Sequence, residues 1–269
     1  MSVKYFVISD VHSYYDEMIA ALNKAGYDQN NPEHIFVLCG DAFDRGPKTL
    51  ETYKFLKSIP KERRILIRGN HEALLRDAVA RQYFYEYDAS NGTVRTISDM
   101  IRMPYHACVL TQKLACEQFA KTKILDWIYK SDEWVNYFEV GKFVMVHSWI
   151  PLKVLDKLPA HYIKNRQFEY REDWRNATDA EWEYSTWGCP YDMLLKGFYP
   201  EDKVIVCGHW YVGDFHERVE RDVRGFSNSN IYFGEHCIAL DAGTPSSKRC
   251  NVLIIDGDNC YDQDGNLLK

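Results

Sequence analysis

Five short apolar runs in this chain end in the same manner, and that repetition limits the available folds more than any other feature. Residues 3–9 (Val-Lys-Tyr-Phe-Val-Ile-Ser) run into Asp10-Val11-His12. Residues 35–39 run into Gly40-Asp41-Ala42-Phe43-Asp44-Arg45-Gly46-Pro47, and residues 64–68 into Gly69-Asn70-His71-Glu72. Further on, residues 142–146 lead to His147 and residues 204–207 to Gly208-His209. Short β-branched and aromatic runs bounded by glycine read as strands. Helical periodicity follows the first three, over residues 14–25 up to Gly26, 48–59 up to Pro60, and 71–81. Strand–helix alternation with short connections predicts right-handed βαβ units and a parallel sheet.

After the third helix the alternation breaks. Residues 82–130 are aromatic-rich with a helical period, interrupted at Asn91-Gly92 and Met103-Pro104. They predict a helical insertion covering one end of the sheet. Residues 135–140 and 142–147 flank Gly141 as a β-hairpin, and residues 151–200 form an irregular insertion dense in Trp and Tyr. Residues 231–240 and 251–255 read as closing strands, with an edge at 260–261. No repeat or linker-like segment interrupts the 269 residues, so 1–269 reads as one domain. The fold class is α/β (α+β), with a later, antiparallel β half.

The balance of charges excludes some functions. A net charge of −6, with both signs mixed along the chain, argues against a broad nucleic-acid-binding face. Eight cysteines show no C-x-x-C pair and no disulfide-scaffold spacing, which suits reduced thiols in a cytoplasmic compartment. The opening apolar run is too short for a signal peptide, and no stretch reaches membrane-spanning length. The expectation is a cytoplasmic protein without a membrane partner.

Ligands of open α/β sheets collect beyond the carboxyl ends of the strands. Strand ends therefore deliver Asp10, His12, Asp41, Asn70, His147 and His209 to one rim. Carboxylate, amide oxygen and imidazole together suit Mn²⁺, Fe²⁺ or Zn²⁺ better than Ca²⁺. Six donors are too many for one ion with an open position. They fit two ions sharing a carboxylate, roughly 3.5–4 Å apart in two-metal hydrolytic sites.

In this order, with 31 residues from Asp10 to Asp41 and 29 from Asp41 to Asn70, the five motifs resemble the calcineurin-like metallophosphoesterase superfamily. The likeness is greatest to its phosphoprotein-phosphatase branch, with the bacterial and phage Ser/Thr phosphatases and diadenosine tetraphosphatases. That resemblance implies a four-layer αββα sandwich of two mixed sheets. It also implies two divalent metals, Mn²⁺ first, with Fe, Zn or Mg as alternatives. Asp10 and His12 would hold the first, Asp41 would bridge, and Asn70, His147 and His209 would complete the second. A metal-bridging hydroxide would attack a phosphate monoester. His71 would protonate the leaving oxygen, Asp44 would hold its imidazole, and Arg45, Asn70 and His71 would contact the substrate. Arg45 offers a planar fork suited to phosphate. Asp241, in Leu240-Asp241-Ala242-Gly243, would support the site from behind.

The implied partner is a phosphoprotein or a small phosphoester or nucleotide. A Ser/Thr-phosphatase-like enzyme is the first reading and a dinucleoside polyphosphate hydrolase the second. A non-catalytic metal-binding scaffold would show decay at His71 or the ligands, and none is visible. Two positions depart from the wider pattern. Tyr211 stands where many phosphodiesterases carry a further histidine, which also disfavours a nuclease. Cys189 stands where relatives carry a second phosphate-binding Arg, leaving Arg221 or Arg224, or a different mode of holding substrate, to replace it. His34, His106, His161, His216 and His236 lack the strand-end context and read as structural. Tyr83-Phe84-Tyr85-Glu86-Tyr87 reads as packing of the insertion onto its domain, although such a cluster also suits a nucleobase.

Overall fold

The computed structural model describes residues 3–155 and 167–268. His161 and part of the 151–200 insertion lie outside them. Thirteen strands occur among the described residues: β1 Lys4–Ile8, β2 His34–Cys39, β3 Arg64–Ile67, β4 Trp134–Val135, β5 Phe138–Val140, β6 Phe143–Met145, β7 Lys153–Val154, β8 Phe168–Glu169, β9 Val204–Cys207, β10 Tyr232–Phe233, β11 Cys237–Ala239, β12 Val252–Asp256 and β13 Asn259–Tyr261. One sheet runs β13-β12-β1-β2-β3-β4 and a second β10-β11-β9-β6-β5, while β7 and β8 pair separately. Strands β1 to β4 are mutually parallel, β12 adds antiparallel to β1, and β13 adds antiparallel to β12. In the second sheet β6, β9 and β11 are parallel, with β5 and β10 antiparallel at the edges.

Alternation along the strands builds the layers. Val7, Val37, Cys39 and Ile67 from the first sheet meet Phe143, Met145, Val206 and Ile238 from the second in one buried cluster, so the two sheets pack face to face. The opposite side chains of the first sheet, Phe6, Ile8, Phe36 and Leu38, pack on Met18, Leu22 and Leu56 of the helices Tyr15–Lys24 and Thr49–Ser58. Val144, Ile205 and Cys237 on the far side of the second sheet pack on Trp149, Trp174, Trp182 and Phe215. The result is the expected four-layer αββα arrangement of two mixed sheets.

Three details differ from the sequence reading. The later β half is mixed rather than antiparallel, because the crossovers between β6, β9 and β11 run those strands parallel and leave only the edges β5 and β10 antiparallel. Val135 belongs to β4 at the edge of the first sheet, and only β5 and β6 form the hairpin around Gly141. The division of so short a polar–apolar stretch between two sheets leaves no periodic mark. Tyr83, Tyr85 and Tyr87 are exposed, and only Phe84 enters the core. The three tyrosines lie against one another, with the Arg81 guanidinium over Tyr85 and Tyr87.

Residues 82–130 form five short helices, Glu86–Asn91, Thr93–Ile101, Tyr105–Leu110, Gln112–Ala120 and Ile124–Tyr129. Their buried side chains Val94, Ile97, Cys116, Phe119 and Trp127 join the helix-side core of the first sheet. All eight cysteines are free. Among the described residues, no helix is long and apolar enough to cross a membrane.

Candidate active site

Every residue singled out at a strand end falls on one rim. Asp10 and His12 follow β1, Asp41 and Asp44 follow β2, Asn70 and His71 open the helix Asn70–Arg81 after β3, and His147 and His209 follow β6 and β9. Register explains the convergence, because β1, β2 and β3 are parallel neighbours and their carboxyl ends line up. Asp10, His12, Asp41, Asp44, Asn70, His71 and His147 are buried, His209 is half-buried, and Arg45 is exposed.

Tight turns bring the side chains inward. Asp10, His12, Ser13, Asp41, Asp44, Arg45 and His209 all have positive φ, seven of the twelve such non-glycine residues described. Left-handed backbone at non-glycine residues is costly, and such strain concentrates at functional sites. Gly208 permits the closest approach, since a Cβ there would collide with Ser9 Oγ and Asp10 Oδ2. Asp10 Oδ2 accepts the Ser9 hydroxyl and, at 2.9 Å, the His209 N–H, tying the rims of the two sheets together.

Glu72 closes the motif Gly69-Asn70-His71-Glu72, and the sequence alone assigns it no role. Its carboxylate accepts the N–H groups of Asp41 (3.1 Å), Ala42 (3.0 Å) and Gly69 (2.7 Å), fastening the loop after β2 to the loop after β3. Asp41 Oδ1 in turn accepts the His71 N–H at 3.0 Å.

The donor chemistry fits a cation. His147 Nδ1 lies 2.9 Å from the Cys39 carbonyl oxygen, which can only accept, so that nitrogen carries a proton and Nε2 is the one left to bind a cation. That Nε2 is 2.8 Å from Asn70 Oδ1 and 3.5 Å from Asp41 Oδ1. Oxygen and imidazole donors gathered this closely suit a shared cation. His12 repeats the pattern, with Nδ1 3.0 Å from the Phe43 carbonyl oxygen and Nε2 3.6 Å from Asp41 Oδ2 and 4.0 Å from Asp10 Oδ1. Two groups of donors, His12-Asp41-His71 and Asp41-His147-His209, each lie within 4.8 Å of one another, and Asp41 stands in both.

Burial acts on the histidines and the carboxyls in opposite senses. Burial lowers the pKa values of His12 and His209, leaving neutral imidazoles with free lone pairs. Burial raises the carboxyls of Asp10 and Asp41, with Asp241 adding to the first and Glu72 to the second. A divalent cation offsets that penalty.

His71 meets a charged side chain at each ring nitrogen. Nδ1 lies 2.8 Å from Asp44 Oδ2, and Nε2 lies 3.1 Å from Arg45 Nη2, which can only donate. Burial raises the Asp44 carboxyl to about 7, opposed by hydrogen bonds from Thr96 and Thr93 and by the Arg45 charge. These two threonines belong to the helical insertion and carry no motif signal. The interruption Asn91-Gly92 just before them was the nearest trace.

Arg45 opens onto a groove of about 1060 Å³, walled by Leu50, Arg95, Asp99, Arg102 and Tyr105 among others. Arg221 and Arg224 do not line it, and Cys189 is half-buried beside its hydrogen-bond partner Tyr191. Asp241 bonds the Gly243 N–H at 2.8 Å and reaches the site through its charge on Asp10. His34 and His236 pack on Phe6 and Tyr199, and His216 bonds Glu220 and the Asn230 carbonyl, all outside the site.

A sandwich with this rim of Asp, Asn and His matches one family model. Residues 3–239 match calcineurin-like phosphoesterase, and the chain belongs to that family. The asymmetrical bis(5'-nucleosyl)-tetraphosphatase PrpE of Bacillus subtilis (strain 168) is 39% identical over 74 residues, covering 25% of this chain and 30% of that protein. A symmetrical bis(5'-nucleosyl)-tetraphosphatase of Buchnera aphidicola subsp. Acyrthosiphon pisum (strain Tuc7) is 32% identical over 100 residues, 35% of either chain. The chain thus spans about a third of the length of the curated relatives it matches. In fold it is similar to the cold-active protein-tyrosine phosphatase of a Shewanella species, with TM-score 0.56 and 18% identity over 100% of this chain and 81% of that one. A protein serine/threonine phosphatase of Saccharomyces cerevisiae gives TM-score 0.51 and 14% identity over 99% and 79%.

Proposed function

We propose that this protein hydrolyses phosphate monoesters with two divalent metal ions, Mn²⁺ foremost, in the manner of a Ser/Thr phosphatase. The observation that carries the reading is the convergence of Asn70 Oδ1 (2.8 Å) and Asp41 Oδ1 (3.5 Å) on His147 Nε2, beside an Arg45–His71 pair. Asp10 and His12 would hold one ion, Asn70, His147 and His209 the other, and Asp41 both. When bound, such ions activate water and neutralise phosphoryl charge.

The chain's own residues supply the rest. Arg45 is exposed at the mouth of the site and presents two parallel N–H donors to a phosphate. A phosphate that draws the guanidinium away from His71 Nε2 frees that nitrogen to take a proton from water and pass it to the leaving oxygen. Asp44, bonded to Nδ1, fixes the ring and stabilises its charged form. Glu72 holds the Asp41 and Gly69 backbones in place. A panel of phosphopeptide and aryl phosphate substrates with Mn²⁺, Fe²⁺, Zn²⁺ and Mg²⁺ tests the reading, and no hydrolysis with any metal contradicts it.

A second reading, hydrolysis of a dinucleoside polyphosphate, is favoured by the groove. Arg95 and Arg102 stand on its wall with Tyr105 exposed nearby, and neither guanidinium makes a hydrogen bond or ion pair among the described residues. Cationic forks and an open ring suit a phosphate chain and a base. Activity on diadenosine tetraphosphate but not on a phosphopeptide selects this reading, and the reverse selects the first.

A further inference from the structure

We propose that Thr93 and Thr96 of the helical insertion are positioning residues for the Asp44–His71 pair, so that proton delivery to the leaving group depends on how the insertion is docked. This rests on the reading of His71 as the acid. Asp44 lies at 1% exposure, and its side chain and N–H together make four polar contacts. Oδ1 accepts the Thr96 hydroxyl at 2.7 Å, and Oδ2 accepts the Thr93 hydroxyl at 2.8 Å beside His71 Nδ1, also at 2.8 Å. The Asp44 N–H donates back to Thr96 Oγ1 at 2.9 Å. One hydroxyl thus holds both the backbone and the side chain of Asp44, which its single proton and two lone pairs allow.

Threonine in a helix usually turns its hydroxyl to the carbonyl one turn back. Here both hydroxyls, three residues apart on one face of Thr93–Ile101, turn to Asp44. The preceding Gly92 has φ +92°, and a Cβ there would collide with the backbone nitrogen of Arg45. Asp44 and Arg45 themselves have left-handed backbone, with φ +73° and +59°. The insertion therefore grips a strained loop at three points, Gly92, Thr93 and Thr96. A purely space-filling helix needs none of these contacts.

The test compares Thr93→Val and Thr96→Val, which keep the shape and remove the hydroxyl, with Thr93→Ser and Thr96→Ser, which keep it. Substrates are an alkyl phosphate, whose leaving oxygen needs a proton, and p-nitrophenyl phosphate, whose leaving group scarcely does. The valine variants should lose on the order of 10²-fold in kcat on the alkyl ester and less than about 3-fold on the aryl ester, without a change in KM. The serine variants should recover most of it. Independently of turnover, the downfield proton resonance of His71 Nδ1–H should be present in the parent and serine variants and absent in the valine variants. That resonance still judges the contact if the chain proves not to hydrolyse phosphoesters. Equal losses on both esters, serine variants as impaired as valine, or a resonance unchanged in the valine variants would each overturn the proposal.

Discussion

The rim of the sandwich and the helical insertion both reach the same residues, but by different physical means. On the rim, the ends of β1, β2, β3, β6 and β9 present side chains through backbone geometry, with parallel register, left-handed turns and glycines where chains touch. On the insertion, side chains of the helix Thr93–Ile101 reach sideways to Asp44 and into the groove beside Arg45. Functions set by backbone geometry tolerate little change, whereas functions set by a helix face are adjustable. We therefore expect metal binding to reside on the rim, and the positioning of Asp44 and the choice of substrate on the insertion.

Removing the shared carboxylate should have the largest effect. Asp41→Asn should lower hydrolysis of p-nitrophenyl phosphate by on the order of 10³-fold or more, since Asp41 stands in both donor groups. Gly208→Ala comes next. The added methyl meets Ser9 and Asp10 with no room to move, costing about 1–3 kcal/mol of stability, visible as a lower Tm, together with most of the activity.

A double Arg95→Ala, Arg102→Ala variant should sharpen the contrast. Its kcat/KM ratio for diadenosine tetraphosphate over an aryl phosphate should fall about 10-fold if the groove holds a phosphate chain. An unchanged ratio would move substrate choice away from the insertion. Smallest of all, Tyr85→Ala should change stability by no more than about 0.5 kcal/mol in a denaturant titration, because the ring is exposed and touches chiefly its neighbours Tyr83, Tyr87 and Arg81.

The same contrast governs what could be read in advance. Asp10, Asp41, Asn70, His147 and His209 were legible because an apolar run ending in a glycine or a polar ligand is a strand end, and parallel strand ends must converge. Glu72 could be seen as part of Gly69-Asn70-His71-Glu72, yet its role emerged only from three backbone N–H groups that belong to two different loops. Thr93 and Thr96 were illegible. Threonines in a helix are common, and their meaning depends on a partner some fifty residues earlier in the chain, at |i−j| of 49 and 52. Arg95 and Arg102 were equally silent, since exposed arginines on a helix ordinarily face solvent. The tyrosines at 83, 85 and 87 misled because aromatic clusters usually mark packing, whereas these rings lie on the surface.

The central claim, that six strand-end donors hold metal ions that act on phosphoesters, is tested most directly by metal analysis coupled to turnover. Protein stripped by a chelator and reloaded with Mn²⁺ should take up about two equivalents per chain and recover p-nitrophenyl phosphatase activity in proportion. Asp41→Asn should do neither. Full activity in the stripped protein, or in Asp41→Asn, would contradict the account.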